Sequence, residues 1–206
     1  MKLTIADYGA GNIRSVQKAI EAIGYTVNIS SSPKEIAETD LLILPGQGAF
    51  EDAMTNLKSC GLIPIIKDHI QAKKPYLGIC LGLQILFETS EENGIHEGLG
   101  IFKGSVKKFQ DPALKIPHMG WNTLTIKKDP NNVFDTLTSP IHAYFVHSYY
   151  IETPDTDIIS TTTDYGIPFT SSIQTPHLLA TQFHPEKSSQ IGLTVLANYL
   201  ASQLKK

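Results

Sequence analysis

Pro75-Tyr76-Leu77-Gly78-Ile79-Cys80-Leu81-Gly82-Leu83-Gln84 is the stretch on which the fold turns. Tyr76 to Ile79 is a short continuous apolar run, the pattern of a strand buried on both faces in a parallel sheet, and the residues after Cys80 are compatible with a helix. Gly78 and Gly82 flank the cysteine at the spacing that clears Cβ atoms from a sharp strand-to-helix turn. These are the mechanics of the Gly-x-Ser-x-Gly elbow, with sulfur in place of oxygen. Such a turn presents the thiol at a helix N-terminus, where the dipole and free N–H groups favour thiolate. A buried structural cysteine fits the same decapeptide, because free Cys is among the most buried residue types.

Working toward the N-terminus, short apolar runs alternate with helical patterns. Leu3 to Ala6 reads as a strand. From about Asn12 a helix follows, its apolar face at Ile13, Val16, Ile20 and Ile23, stopped by Gly24. Val27 to Ile29 is a second strand, Ser32-Pro33 with Glu35 an N-cap and first turn, and Leu41 to Leu44 another doubly buried strand. These βαβ units imply an α/β fold: an open, mostly parallel sheet flanked by helices, with function at the carboxyl ends of its strands. The glycine-bearing segments Asp7 to Asn12, Pro45 to Gly48 and the Cys80 turn each follow such an end. The C-terminal half changes to a β-rich portion, expected antiparallel, around Asn122 to Ile126, His142 to Ile151, Ile158 to Thr163 and Leu178 to Phe183. It closes with an amphipathic helix over about Ser188 to Leu204. No repeat, low-complexity segment or linker interrupts residues 1–206, so a single domain is expected.

Ala180 to Ser188 reads Ala-Thr-Gln-Phe-His-Pro-Glu-Lys-Ser. If this stretch is extended, His184 and Glu186 point to the same side, and the carboxylate can orient the imidazole toward a sulfur. Pro185 biases His184 to an extended backbone. Alone, His184 also fits a surface histidine at a strand end. With Cys80 the set satisfies the nucleophile, base and orienter logic of a catalytic triad.

These motifs resemble the class I (triad-type) glutamine amidotransferase family, with its Gly-x-Cys-x-Gly-x-Gln elbow and C-terminal His-Pro-Glu pair. Within it the chain is most similar to the glutaminase subunits of imidazole glycerol phosphate synthase, which act in histidine biosynthesis. Asp7-Tyr8-Gly9-Ala10-Gly11-Asn12, Leu44 to Phe50, His118-Met119-Gly120-Trp121-Asn122 and Tyr144 to Tyr149 carry that closer resemblance. It implies the class I amidotransferase fold and a Cys80, His184, Glu186 triad that hydrolyses glutamine through a thioester, with no cofactor and no metal. It also implies an oxyanion hole from Gly46, Gly48 and Leu81. Gln47 stands where these subunits commonly have valine. Gln84 is expected at the substrate amide or its backbone, Glu92 at the α-ammonium, and Ser148 and Tyr149 at the α-carboxylate. His118, Trp121 and Asn122 are expected at the junction with a cyclase subunit, a (β/α)8 barrel that completes a heterodimer and receives ammonia through an internal channel, and Lys187, beside the triad, at that junction or at the site itself. Each has a plainer reading: Glu92 ends an acidic run that would ordinarily be a solvated face, the tyrosines suit core packing, and a lone Trp suits a core. A glutaminase subunit of another synthase, such as one acting on chorismate, a non-catalytic relative and a Cys peptidase are the other readings.

Composition narrows the class. A formal net charge of −3, with no long Lys/Arg block, argues against a nucleic-acid partner. Cys60 and Cys80 make no disulfide framework and have no metal-ligand spacing, which fits a reducing, cytoplasmic setting. No run approaches the roughly 18 apolar residues of a membrane span.

Overall fold

The structure, a computed structural model, describes residues 2–9 and 11–204; Ala10, within the Asp7 to Asn12 segment, lies outside them. In chain order its elements are β1 (Leu3–Ala6), α1 (Ile13–Ala22), β2 (Asn28–Ser30), α2 (Pro33–Ala37), β3 (Leu41–Gly46), α3 (Phe50–Ser59), α4 (Leu62–Gln71), β4 (Tyr76–Cys80) and the single turn α5 (Leu81–Gln84). There follow β5 (Thr89–Ser90), β6 (His96–Glu97), β7 (Ser105–Lys108), β8 (His118–Ile126), β9 (Ile141–His147), β10 (Tyr149–Glu152), β11 (Ile159–Tyr165), β12 (Ile167–Thr175), β13 (Leu178–Thr181) and α6 (Ser189–Leu204).

In the first half the strands and helix read from periodicity form, and α3 and α4, which were not read from the sequence, fill the crossover between β3 and β4. Val16 and Ile20 of α1 are buried, while Ile13 and Ile23 pack half-buried against the same core, and Gly24 ends the helix at φ +89°. β2 begins one residue later than expected, because its ladder with β1 starts at Asn28 opposite Thr4. β3 and β4 are buried along their whole length. Strand alternation then divides the apolar residues into two clusters. Leu41, Ile43, Leu77 and Ile79 face α1 and α6, whereas Leu42, Leu44 and Tyr76 face Ile36 of α2, Leu57 of α3 and Ile66 of α4.

The sheet runs β2-β1-β3-β4-β13-β12-β10-β7-β5-β6. β2, β1, β3, β4 and β13 are parallel; from β12 onward most ladders are antiparallel, and β11, β8 and β9 extend the sheet off this path. The insertion of β13 beside β4 decides where the site lies: Thr181 is opposite Ile79, so the residues after β13 leave the sheet at the same edge as Cys80. β3 is on the other side of β4, with Gly46 opposite Cys80.

The second half holds the departures. The run from His142 to Ile151 is two strands broken at Ser148, and β8 starts at His118 rather than Asn122. β12 was not expected at all. Pro168 and the Ser171-Ser172 pair argue against a central strand, yet this strand is largely buried and its hydroxyls are satisfied laterally. Thr161 Oγ1 lies 2.8 Å from Ser171 Oγ and 2.7 Å from Ser172 Oγ. α6 buries Val195, Leu196, Tyr199 and Leu200 along one face, and the Tyr199 hydroxyl donates to the Tyr76 carbonyl at 2.8 Å.

Candidate active site

The turn after β4 is built around steric exclusion. Cys80 has φ 54° and ψ −103°, a region L-residues rarely occupy, and it persists because the surroundings leave no alternative. A Cβ on Gly82 would come to 1.9 Å from the Leu44 carbonyl oxygen, and one on Gly78 to 2.5 Å from the Gly82 oxygen. The Tyr76 hydroxyl pins the turn by donating to that same Gly82 oxygen at 2.8 Å. The helix that follows is one turn long, with its residues buried.

His184 and Glu186 meet as expected, but by a different backbone route. His184 is extended, whereas Pro185–Lys187 forms a 3₁₀ turn, so curvature and not strand alternation brings the carboxylate under the ring. His184 Nδ1 lies 2.7 Å from Glu186 Oε1, and both side chains are fully buried. The His184 backbone is clamped on both sides: its N–H donates to the Tyr144 carbonyl at 2.9 Å, and its carbonyl accepts from the Ser188 hydroxyl at 2.7 Å. Burial alone would pull the imidazole pKa down. The charge of the nearby Cys80, and then the hydrogen bond and charge of Glu186, outweigh it and hold the ring well above its ordinary value.

Two residues at this centre were not singled out by sequence. Asn12 lies directly before α1, where it would read as an N-cap. Its side chain makes no capping bond and instead donates to Glu186 Oε1, from a left-handed backbone with φ 78° that Asn tolerates better than most residues. Gln182, fully buried, points Nε2 at Cys80 Sγ across 3.6 Å. No local pattern marks it, because its place opposite the elbow is set by the pairing of β13 with β4. Replacing Asn12 by Ala should lower kcat/KM about tenfold through kcat, with KM little changed, since a charge-assisted bond of roughly 1.5–3 kcal/mol to the orienting carboxylate is lost. Steady-state kinetics on that variant checks this.

A cavity of about 360 Å³ opens over the thiol and brings the expected residues together. Gln47, Gly48 and Leu81 form one side of it, and Gln84, Glu92, Ser148, Tyr149 and Lys187 contribute to the rest. Gly46 lies at the strand end beneath, where the Tyr8 hydroxyl fixes the preceding Pro45 carbonyl at 2.8 Å. Glu92 is not a solvated end of its acidic run. Its half-buried carboxylate accepts from the Phe50 N–H at the start of α3, at 2.7 Å, which fixes a negative charge at the cavity wall. Gln84 has both amide hydrogens committed, to the Tyr149 carbonyl at 3.1 Å and to Gln182 Oε1 at 3.0 Å, so what it offers a ligand is its carbonyl oxygen.

The expected junction residues separate. Trp121 is 55% exposed, and Met119, on the same side of β8, is 61% exposed. Asn122 is half-buried and Lys187 exposed. His118 departs from expectation: it is 3% exposed, because alternation along β8 turns it inward where Met119 and Trp121 turn outward.

The chain matches the family model for class I glutamine amidotransferases over residues 4–201. Among curated relatives, the imidazole glycerol phosphate synthase subunit HisH of Syntrophotalea carbinolica is 46% identical over 96% of this chain and 98% of its own length. The subunit of the same name from Aquifex aeolicus is 48% identical, covering 97% of this chain and 96% of its own. Among solved structures, PurLQS of Thermotoga maritima superposes with a TM-score of 0.74 at 18% identity, covering 100% of this chain and 99% of that one. The glutaminase domain of Trypanosoma brucei CTPS, solved with bound acivicin, gives 0.69 at 19% identity over 99% and 93%. At those identities the two structures speak for the fold alone.

Proposed function

The chain belongs to the class I glutamine amidotransferases, and among them to the HisH subunits of imidazole glycerol phosphate synthase, and on that premise we propose that Cys80, His184 and Glu186 carry out its glutamine hydrolysis. The chain is the glutaminase subunit of that synthase and serves histidine biosynthesis. The observation that carries the residue assignment is the parallel pairing of β13 with β4, which sets a buried His184–Glu186 pair on the same sheet edge as a cysteine held at φ 54° at the base of the cavity.

His184 takes the proton of Cys80, and the thiolate attacks the side-chain carbonyl carbon of glutamine. The negative charge then forming on oxygen faces the backbone of Gly46, Gly48 and Leu81, the oxyanion donors of this reading. As the C–N bond breaks, His184 returns the proton and ammonia leaves. Water next adds to the γ-glutamyl thioester, releasing glutamate and restoring the thiol. Glu92 attracts the α-ammonium, Ser148 and Tyr149 hold the α-carboxylate, and Gln84 receives the substrate's N–H groups through its free oxygen.

The ammonia goes to a cyclase subunit, a (β/α)8 barrel that makes imidazole glycerol phosphate and an aminoimidazole carboxamide ribotide. That partner docks on the face carrying Met119 and Trp121, with Asn122 and Lys187 beside it. In support, the Trp121 ring stands edge-on to Tyr144 at 6.2 Å, and Tyr144 lines the cavity. All 206 residues act as one domain, since β13 from the second half completes the parallel sheet of the first. Both cysteines are free thiols, which suits a cytoplasmic enzyme, and no helix among the described residues is long and apolar enough to cross a membrane.

Trp121→Ala should weaken binding of the cyclase subunit by roughly 30-fold, the effect of losing an aromatic anchor worth about 2 kcal/mol. Titration calorimetry measures it. The test of the reading as a whole is glutamate release from glutamine by the chain alone and with a cyclase subunit carrying its ribonucleotide. Stimulation in the complex supports it; equal turnover with and without the loaded partner removes the coupling between the two sites.

A further inference from the structure

A line of hydrogen bonds runs from β8 to the wall of the cavity, and its inner end fixes its direction. The Tyr149 backbone carbonyl can only accept. His147 Nδ1, 2.8 Å from that oxygen, therefore carries a proton. In a neutral imidazole the other nitrogen is then a lone pair, so His118 Nδ1, 2.9 Å from His147 Nε2, must be the donor between the two rings. His118 Nε2 is left to accept, and the Asn122 amide faces it at 3.2 Å. The outer end gives the same answer independently. Asn122 donates its second N–H to the Asp164 carbonyl at 2.8 Å and accepts from the Thr123 N–H at 2.7 Å, so its nitrogen, not its oxygen, is toward the ring.

The inner end reaches substrate-contacting groups. Tyr149, whose carbonyl closes the line, follows Ser148 at the break between β9 and β10, and the same oxygen accepts from Gln84. Gln84 in turn holds Gln182, which points at the Cys80 thiol. His147 itself lines the cavity.

An apolar pair would fill this part of the core at lower cost, because a buried polar pair is favourable only when every group is satisfied. His118 stacks on Tyr165 at 4.0 Å and on Phe145 at 4.9 Å, and Phe109 and Phe169 stand edge-on to it. None of the rings around His118 carries a negative charge that would pair with an imidazolium.

We propose that His118 and His147 are positioning residues for glutamine: a pair of neutral, Nδ1-protonated imidazoles that holds the Ser148–Tyr149 backbone and Gln84 in the geometry that receives the substrate. The proposal rests on the glutaminase reading above and adds two residues to it. Burial agrees with the neutral state, pushing His118 down to about 4 and His147 to about 3.

Nitrogen-15 NMR of the histidine-labelled chain tests the first half without any assay of activity. Both rings should be neutral Nδ1–H tautomers from about pH 5.5 to 8.5, against the Nε2–H form that free histidine favours. An Nε2–H tautomer in either ring, or a positive charge on either near pH 6, overturns the proposal. The second half is kinetic, in the complex with the cyclase subunit. His118→Phe keeps a ring between Tyr165 and Phe145 and deletes the donor; it should raise KM for glutamine about tenfold with kcat within about threefold. His118→Asn retains an N–H near the Nδ1 position and should recover part of that loss. An unchanged KM in His118→Phe, or kcat falling with KM and no recovery in His118→Asn, gives the pair a structural role only. Absence of glutamine hydrolysis in the unsubstituted complex would sink the functional reading instead, while the tautomers still report on the network.

Discussion

Cys80→Ala should lower glutamine hydrolysis by at least about 10⁴-fold, because it removes the atom that forms the thioester, and the remaining oxyanion donors and substrate contacts give only residual catalysis. The substitution is isosteric apart from the sulfur and leaves the Gly78 and Gly82 approaches untouched, so the fold and the cyclase affinity should be retained. His184→Ala should cost a similar factor. The double variant should cost no more than either single one, since the pair acts as a unit and effects of such residues are strongly non-additive. Glutamate release by coupled assay, with binding to the cyclase subunit measured in parallel, separates this from unfolding. Additive losses in the double variant would mean that Cys80 and His184 act in separate steps and that their proximity is incidental.

The second large effect is on stability. Gly82→Ala should destabilise the chain by at least about 3 kcal/mol, since the added Cβ is built 1.9 Å from the Leu44 oxygen and 3.0 Å from its carbonyl carbon. Both atoms belong to β3, a strand buried along its whole length, so neither can swing aside as a side-chain terminus would. For a chain of this length that is a fall in Tm of roughly 6–12 °C. Differential scanning calorimetry reads it directly. A variant melting within a degree or two of the parent would show that the elbow has room the structure does not contain.

What the sequence made legible follows from which interactions are local. β3 and β4 were readable because burial on both faces produces continuous apolar runs, and the elbow because two glycines at fixed offsets have no other economical explanation; β13, expected in the antiparallel C-terminal portion, instead joins the parallel sheet beside β4, a pairing no local pattern announces. Cys80, His184 and Glu186 stood out through the strand-turn and His-Pro-Glu patterns, although the carboxylate meets its ring through a 3₁₀ turn and not through strand alternation. β12 was hidden by Pro168 and two serines, whose hydroxyls are satisfied by a neighbouring strand that a single sequence cannot place. Asn12 and Gln182 were missed for the same reason. One reads as an ordinary helix cap, and the other becomes a neighbour of the thiol only when β13 pairs with a strand about a hundred residues earlier. His118 was assigned to the surface by resemblance, yet alternation along β8 was sufficient to turn it inward once Trp121 was taken as outward.

The central claim, that glutamine is attacked by Cys80 in this cavity, is tested most directly by trapping the nucleophile. The chain in complex with its partner subunit of the synthase is treated with an electrophilic glutamine analogue, and the labelled residue is located by peptide mass spectrometry. The account predicts a single adduct on Cys80, blocked by excess glutamine and absent from His184→Ala. Labelling of Cys60 in its place, or of Cys80 with no protection by glutamine, would contradict it.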